Sequence, residues 1–205
     1  MVHGIDFGYG GFSFSWGDHI CAIFDWPTQQ MEIMGGFMLQ GIRAEQRCVW
    51  VSSEPSVRQL RAALSDAGAD LQTLEAAGQL VTISDLDFYL QDGLFEPKRT
   101  MDLLRALMDD GRRIGYDMMR ITTDMSWLKG SRIDPDVWEE FESELTYQVA
   151  SLPVVLVCQF DRRQVSGSVV VAAFRTHPIV ILGDEIHGNP FYSAGAAGPA
   201  MSEIM

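Results

Sequence analysis

Short apolar runs alternate with stretches of helical spacing along most of this chain, and that alternation leaves few folds open. His19-Ile20-Cys21-Ala22-Ile23-Phe24, Arg47 to Ser53, Leu80 to Ser84, Met118 to Thr122, Val154 to Gln159 and Ile179 to Leu182 each read as a strand. Between them, apolar residues recur at helical intervals over 31–45, over 56–77 with a break at Gly68, and over 99–113 and 135–152. Asp134 is the predicted N-cap of the last helix, and Pro135 suits its first turn. Strands that are apolar on both pleat faces and separated by helices pair in parallel and need cover on two sides. With right-handed crossovers, the expected architecture is α/β: a doubly wound, mostly parallel sheet with helices on both faces. Residues 1–16 are expected to form an irregular lead-in or a short hairpin, and 85–97 a loop with exposed Phe88, Leu94 and Phe95 beside Tyr89. Residues 165–175 fit helix or strand. A single domain is expected over 1–187, with a flexible, Gly- and Ala-rich C-terminal tail at 188–205.

The junction after the first strand carries the main functional information. Asp25-Trp26-Pro27-Thr28-Gln29-Gln30 contains neither glycine nor lysine. A phosphate-binding loop at this place needs glycines, so that backbone N–H groups can approach the phosphates, and a lysine to hold them. Without positioned positive charge, phosphoryl transfer has nothing to stabilise its transition state, and ATP turnover is not expected.

Composition removes other classes. A net charge of −13 with scattered basic residues argues against nucleic acid, whose phosphates demand clustered Lys and Arg. No apolar run approaches the roughly 20 residues of a membrane span. No signal peptide is visible, and Cys21, Cys48 and Cys158 sit in apolar strands like buried reduced thiols, so a soluble cytoplasmic protein is expected.

Several phrases occur together and in order: Trp16-Gly17-Asp18-His19-Ile20-Cys21, Cys48-Val49-Trp50-Val51-Ser52-Ser53-Glu54-Pro55, Thr122-Thr123-Asp124-Met125-Ser126-Trp127-Leu128, His177-Pro178 and Asn189-Pro190-Phe191-Tyr192. With these the chain resembles the MEDS family, the DcmR-like sensory domain of methanogen and methylotroph regulators. That family is similar to KaiC and RecA ATPases in degenerate form. The resemblance implies a RecA/KaiC-like fold and a role in signal sensing beside DNA-binding or kinase modules. It also puts Glu54 where such ATPases carry a catalytic glutamate, and Asp124 one or two places past the acidic position that ends their fourth strand.

Ligands of open α/β sheets bind beyond the carboxyl ends of the strands. Those ends present Asp25, Trp26, Glu54, Asp85, Asp124 and Trp127, the expected ligand-binding set, with Ser53, Phe88, Tyr89 and Gln159 nearby. Aromatics among carboxylates suit a small, partly apolar or cationic ligand. Glu54 reads equally as the opening of the helix that follows. No catalytic residue is assigned. No metal is expected; were one present, His19, Cys21 and His177 are the candidate donors, with Cys158 brought near Cys21 if the last long strand adjoins the first. The cofactor is left unnamed.

The reading is a stand-alone sensory domain that binds a small-molecule or nucleotide-like ligand and regulates a protein partner in trans, such as a kinase, response regulator or transcription factor. Homo-oligomerisation is compatible with it. Alternatives are a divergent nucleoside triphosphatase using Glu54 and Asp124, a haem, metal or redox sensor working through His19 and Cys21, and an interaction scaffold with an empty pocket.

Overall fold

Each apolar run forms its strand because both of its pleat faces meet helices. The structure, a computed structural model, describes residues 4–129 and 133–193. In chain order the elements are β1 (Ile5–Asp6), β2 (Ser13–Phe14), β3 (His19–Phe24), α1 (Pro27–Arg43), β4 (Arg47–Ser52), α2 (Glu54–Asp66), α3 (Leu71–Ala76), β5 (Leu80–Ser84), α4 (Asp85–Tyr89), β6 (Leu90–Gln91), β7 (Leu94–Phe95), α5 (Pro97–Arg113), β8 (Met119–Asp124), α6 (Pro135–Val149), β9 (Val154–Asp161), α7 (Gly167–Thr176), β10 (Ile179–Leu182) and β11 (Glu185–Gly188). A 3-10 turn at Met125–Leu128 follows β8.

Among the described residues the main sheet runs β11-β10-β3-β9-β8-β4-β5, parallel throughout except that β11 pairs antiparallel with β10. Successive residues face opposite sides. Ile20, Ala22, Cys48, Trp50, Val155 and Val157 pack against α1 and α2 through Ile33, Phe37, Leu60 and Leu64. Cys21, Val49, Ile121, Leu156, Cys158 and Phe160 face α4 to α7, through Tyr89, Leu104, Trp138 and Leu145. This is the expected doubly wound α/β sandwich.

The lead-in is a hairpin, β1–β2, that closes over α1. Gly8 lies at φ +97°, and a Cβ there would stand 2.3 Å from the Gly36 carbonyl oxygen. Glycine is what lets hairpin and helix touch. Arg120 of β8 holds the same hairpin from below. It is 1% exposed, and its guanidinium donates to the carbonyls of Asp6 (2.7 Å), Phe7 (2.9 Å) and Phe37 (3.1 Å) and to Gln46 Oε1 (2.7 Å). The Phe14 and Phe37 rings lie 5.1 and 4.9 Å from its centre.

Several boundaries differ from the sequence expectation. Helix α1 starts at Pro27 rather than 31, because proline at the first helical position is pre-set for the turn and its missing N–H costs nothing there. The 56–77 stretch is two helices. Gly68 adopts φ +86° between them, and Asp70 caps α3 by accepting from the Thr73 N–H. Residues 85–97 are not an open loop: Ser84 caps α4, and β6–β7 form a small hairpin. Leu94 is exposed as expected, but Phe88 is buried at 4% against Tyr89. Residues 167–176 resolve as helix, with Ser166 accepting from the Val169 N–H. Of the expected tail, Gly188 ends β11 and Asn189 is buried, donating to the Phe174 and His177 carbonyls. Residues 194–205 lie outside the described residues.

Candidate functional site

The carboxyl ends of β3, β4, β5, β8 and β9 surround an open cleft of about 410 Å³. Its lining includes Gln30, Ser53, Asp85, Asp124, Trp127 and Asp161, and no Lys, Arg or His stands among the lining residues. Only Asp25 and Trp26 separate Phe24 from the first turn of α1, so no loop exists there to wrap a phosphate.

Asp124 ends β8 and is 6% exposed. Its Oδ2 accepts from Ser52 Oγ at 2.9 Å, and its Oδ1 from the Ser126 N–H at 2.9 Å, which caps the 3-10 turn. Burial raises its pKa, opposed by those hydrogen bonds. Burial raises the Asp85 carboxyl as well, with Asp124 contributing repulsion; Asp85 accepts from the Leu86 N–H at 2.9 Å. Behind the cleft, Gln30 Nε2 donates to Gln159 Oε1 at 2.7 Å, and Gln159 Nε2 to Thr122 Oγ1 at 2.7 Å. This chain of amides ties α1 to the strand ends.

Of the six expected ligand residues, Asp85, Asp124 and Trp127 come together in the cleft, and the other three stand outside its lining. Asp25 pairs with Arg162. Trp26 is 59% exposed, with the Arg163 guanidinium 5.3 Å from its ring centre. Glu54 opens α2, with its side chain exposed and paired to Arg58 one turn on. Trp127 presents little surface itself. It stacks on Tyr89 at 4.5 Å and meets Trp138 edge-on at 5.6 Å, so it links the cleft to the aromatic core under α6.

A second constellation occupies the opposite end of the strands. His19 opens β3, His177 sits just before β10, Cys158 lies on β9, and Glu142 projects from α6. All four are fully buried, and their ligand-type atoms lie within 4.8 Å of one another. His19 Nε2 is 3.2 Å from Cys158 Sγ and 3.7 Å from Glu142 Oε2. His177 Nε2 is 3.3 Å from the same carboxylate oxygen, and Cys158 Sγ is 3.9 Å from it. The imidazole rings are 4.0 Å apart.

Burial keeps these groups neutral. It drives His19 well below its usual range, helped by repulsion from His177, and lowers His177 to about 4. It raises Glu142 to about 8 and pushes the Cys158 and Cys21 thiols well up. Cys21 pairs in register with Cys158 across β3 and β9, as the strand order expected from the sequence requires, but it stands outside the four. Glu142 was missed by sequence reading. The available signal was its position on the stripe of Trp138, Leu145 and Val149, a carboxyl group where helical spacing asks for an apolar residue.

Comparison with known proteins bears on both sites. The profile of the family described as MEDS, MEthanogen/methylotroph, DcmR Sensory domain, matches residues 18–178, a span that contains every residue of the buried quartet and all six expected cleft residues. The transcriptional repressor DcmR of Methylorubrum extorquens is 24% identical over 171 residues, covering 82% of this chain and 60% of the repressor. The chain thus spans less than two thirds of that relative's length. Among solved structures, a KaiC-like protein from the archaeon Pyrococcus horikoshii OT3 superposes with a TM-score of 0.62 at 13% identity, over 88% of this chain and 80% of that one. The flagellar accessory protein FlaH of Methanocaldococcus jannaschii gives 0.54 at 11% identity, over 86% and 77%. No helix among the described residues is long and apolar enough to cross a membrane. On the profile match over most of its length, the chain belongs to the MEDS sensory-domain family, in a RecA/KaiC-like fold that lacks the phosphate loop.

Proposed function

We propose that this domain senses a small molecule in the strand-end cleft and passes its occupancy to a regulatory protein partner, in the control of transcription. The observation that carries the reading is the cleft's composition. Asp85, Asp124 and Asp161 converge there with Trp127 and no cationic residue among the lining, at the edge where open α/β sheets bind their ligands. Asp161 is paired with Arg163, but Asp85 and Asp124 make no ion pair among the described residues; such carboxylates repel a triphosphate and favour a neutral or cationic ligand, which an aromatic edge also suits. The transcription output rests on the repressor relative and on the family's sensory role.

Occupancy has a route inward. Trp127 touches both the cleft and the stack of Tyr89 and Trp138, so a ligand that shifts it changes packing under α4 and α6. Such a ligand moves the equilibrium only by its differential affinity for the two packings.

The test is native mass spectrometry of freshly purified protein for a retained small molecule, followed by tryptophan-emission titrations with tetramethylammonium, simple alcohols and MgATP. Saturable binding of a neutral or cationic probe, weakened by Asp124→Asn and absent for MgATP, is expected. Phosphate release from MgATP that disappears in Glu54→Gln would overturn the reading in favour of a triphosphatase.

A further inference from the structure

The geometry points to a structural divalent-metal site, zinc first among the candidates, formed by His19, Glu142, Cys158 and His177 at the amino end of the sheet and separate from the strand-end cleft. The partners behind each imidazole fix its tautomer. Thr146 Oγ1 has one hydrogen, which it donates toward the carbonyls of Thr176 (2.6 Å) and Glu142 (3.0 Å). Toward His19 Nδ1 at 2.7 Å it therefore accepts, and the His19 hydrogen sits on Nδ1. His177 Nδ1 likewise donates to the Ala173 carbonyl at 2.9 Å. Both rings are thus oriented from behind by an oxygen acceptor, and both turn a bare Nε2 lone pair inward. This is the outer-shell arrangement of metal-bound histidines.

Facing those lone pairs are a thiol sulfur and a carboxyl group, so four acceptor atoms meet in a space closed to solvent. Protons on Cys158 and Glu142 can neutralise the cluster, the carboxyl then facing His177 Nε2 across 3.3 Å, but that arrangement leaves Glu142 Oε1 buried with no hydrogen-bond partner among the described residues. A divalent cation displaces both protons to solvent and satisfies the converging lone pairs together. It also balances one thiolate and one carboxylate with no net charge left in the core. Tetrahedral bonds of about 2.05 Å to nitrogen or oxygen and about 2.3 Å to sulfur put neighbouring ligand atoms about 3.3–3.6 Å apart. Four of the six separations here are 3.2, 3.3, 3.7 and 3.9 Å, and all six lie within 4.8 Å.

The donor set of two imidazoles, one thiolate and one carboxylate suits zinc better than the hard, all-oxygen cations. Four protein ligands leave no open position, which assigns a structural rather than a catalytic role: the ion joins β3, β9, α6 and the α7–β10 connection. Access exists. A cavity of about 450 Å³ at this end is lined by Asp18, Ser143, Thr146 and Pro178, which adjoin the ligands in sequence or, for Thr146, by hydrogen bond.

The experiment uses the full chain, stripped with chelator and titrated with Zn²⁺ or Co²⁺ alone at neutral pH. One equivalent should bind, Zn²⁺ should raise the melting midpoint, and Co²⁺ should give tetrahedral ligand-field bands with a thiolate-to-cobalt charge-transfer band of one sulfur. Cys158→Ser should abolish that band, and Cys21→Ser should retain it. Thr146→Val, which removes the acceptor behind His19 together with the hydroxyl's bond to the Thr176 carbonyl but no ligand atom, should weaken Zn²⁺ binding about 10–100-fold. Folded wild-type protein that neither binds Zn²⁺ nor gains stability from it would overturn the proposal, as would a charge-transfer band surviving in Cys158→Ser. Should the serine variant fail to fold, the wild-type cobalt spectrum still decides: two thiolates would make Cys21 a ligand and refute the assignment.

Discussion

Replacing Arg120 by methionine tests how the N-terminal hairpin is held to the sheet. Methionine keeps most of the aliphatic stem, so it leaves little cavity; what it removes is the guanidinium fork. That fork satisfies the carbonyls of Asp6, Phe7 and Phe37 and the side chain of Gln46. Phe7 and the Gln46 side chain are buried, so their oxygens lose their guanidinium donor with no water to replace it, whereas the Phe37 carbonyl inside α1 keeps its helical N–H. Each stranded acceptor costs about 1–3 kcal/mol, or about 2–6 kcal/mol for the pair. Removing the charge offsets part of this, because burial disfavours the cation strongly enough to draw its pKa to about 10. The net loss is set at about 3 kcal/mol, which in a chain of this size lowers the melting midpoint by about 6–12 °C. The assays are urea and thermal melts, with hydrogen exchange over residues 4–14. Arg120→Lys should recover only part of the stability, since a point donor cannot reach four acceptors in a fork. Surface Arg105→Met should stay within about 0.5 kcal/mol. A midpoint shift under about 2 °C for Arg120→Met, with hairpin exchange unchanged, would refute the reasoning.

Three further outcomes follow from the same geometry. Gly8→Ala forces a Cβ to 2.3 Å from the Gly36 carbonyl oxygen at φ +97°, so it should cost about 2–4 kcal/mol and raise exchange in the hairpin; a neutral effect in a melt would contradict that packing. Asp161 is held down to about 2 by Arg163 and Gln164, so its contribution is complete above the unfolded value of about 3.9 and fades as pH falls toward 2. Asp161→Asn should therefore flatten the acid side of the stability–pH curve and leave its neutral slope alone. Trp127→Ala should cost about 3–5 kcal/mol by opening a void beside Tyr89 and Trp138, and should quench the emission response to any cleft ligand; an intact response would place that signal in another tryptophan.

Strand positions were the most legible part of the chain. His19–Phe24 and Leu80–Ser84 form where the apolar runs lie, because a run buried on both faces has no competing helical period. Elements stabilised by a distant surface were harder to see. The four-residue β11 carries only one apolar side chain and exists because β10 offers a free edge. Phe88 reads as an exposed loop residue until Tyr89 and α5 cover it. Half of the expected cleft set assembled. Asp85, Asp124 and Trp127 follow strand ends directly, while Asp25, Trp26 and Glu54 were turned outward by the tight junction and by surface ion pairs.

The linear order of apolar and polar residues was enough to determine a parallel sheet with two covers, the absence of a phosphate loop and the edge where ligands of such sheets sit. All three depend on neighbours in sequence, through pleat period, turn chemistry and crossover handedness. The buried quartet and the Arg120 anchor were decided only by tertiary structure. His19 and Cys158 are 139 residues apart, and Arg120 lies 114 residues from the Asp6 carbonyl it holds. Whether a buried polar side chain is an expensive defect or a satisfied ligand depends on which atoms surround it, and in each case those atoms come from elements that only the folded sheet brings together.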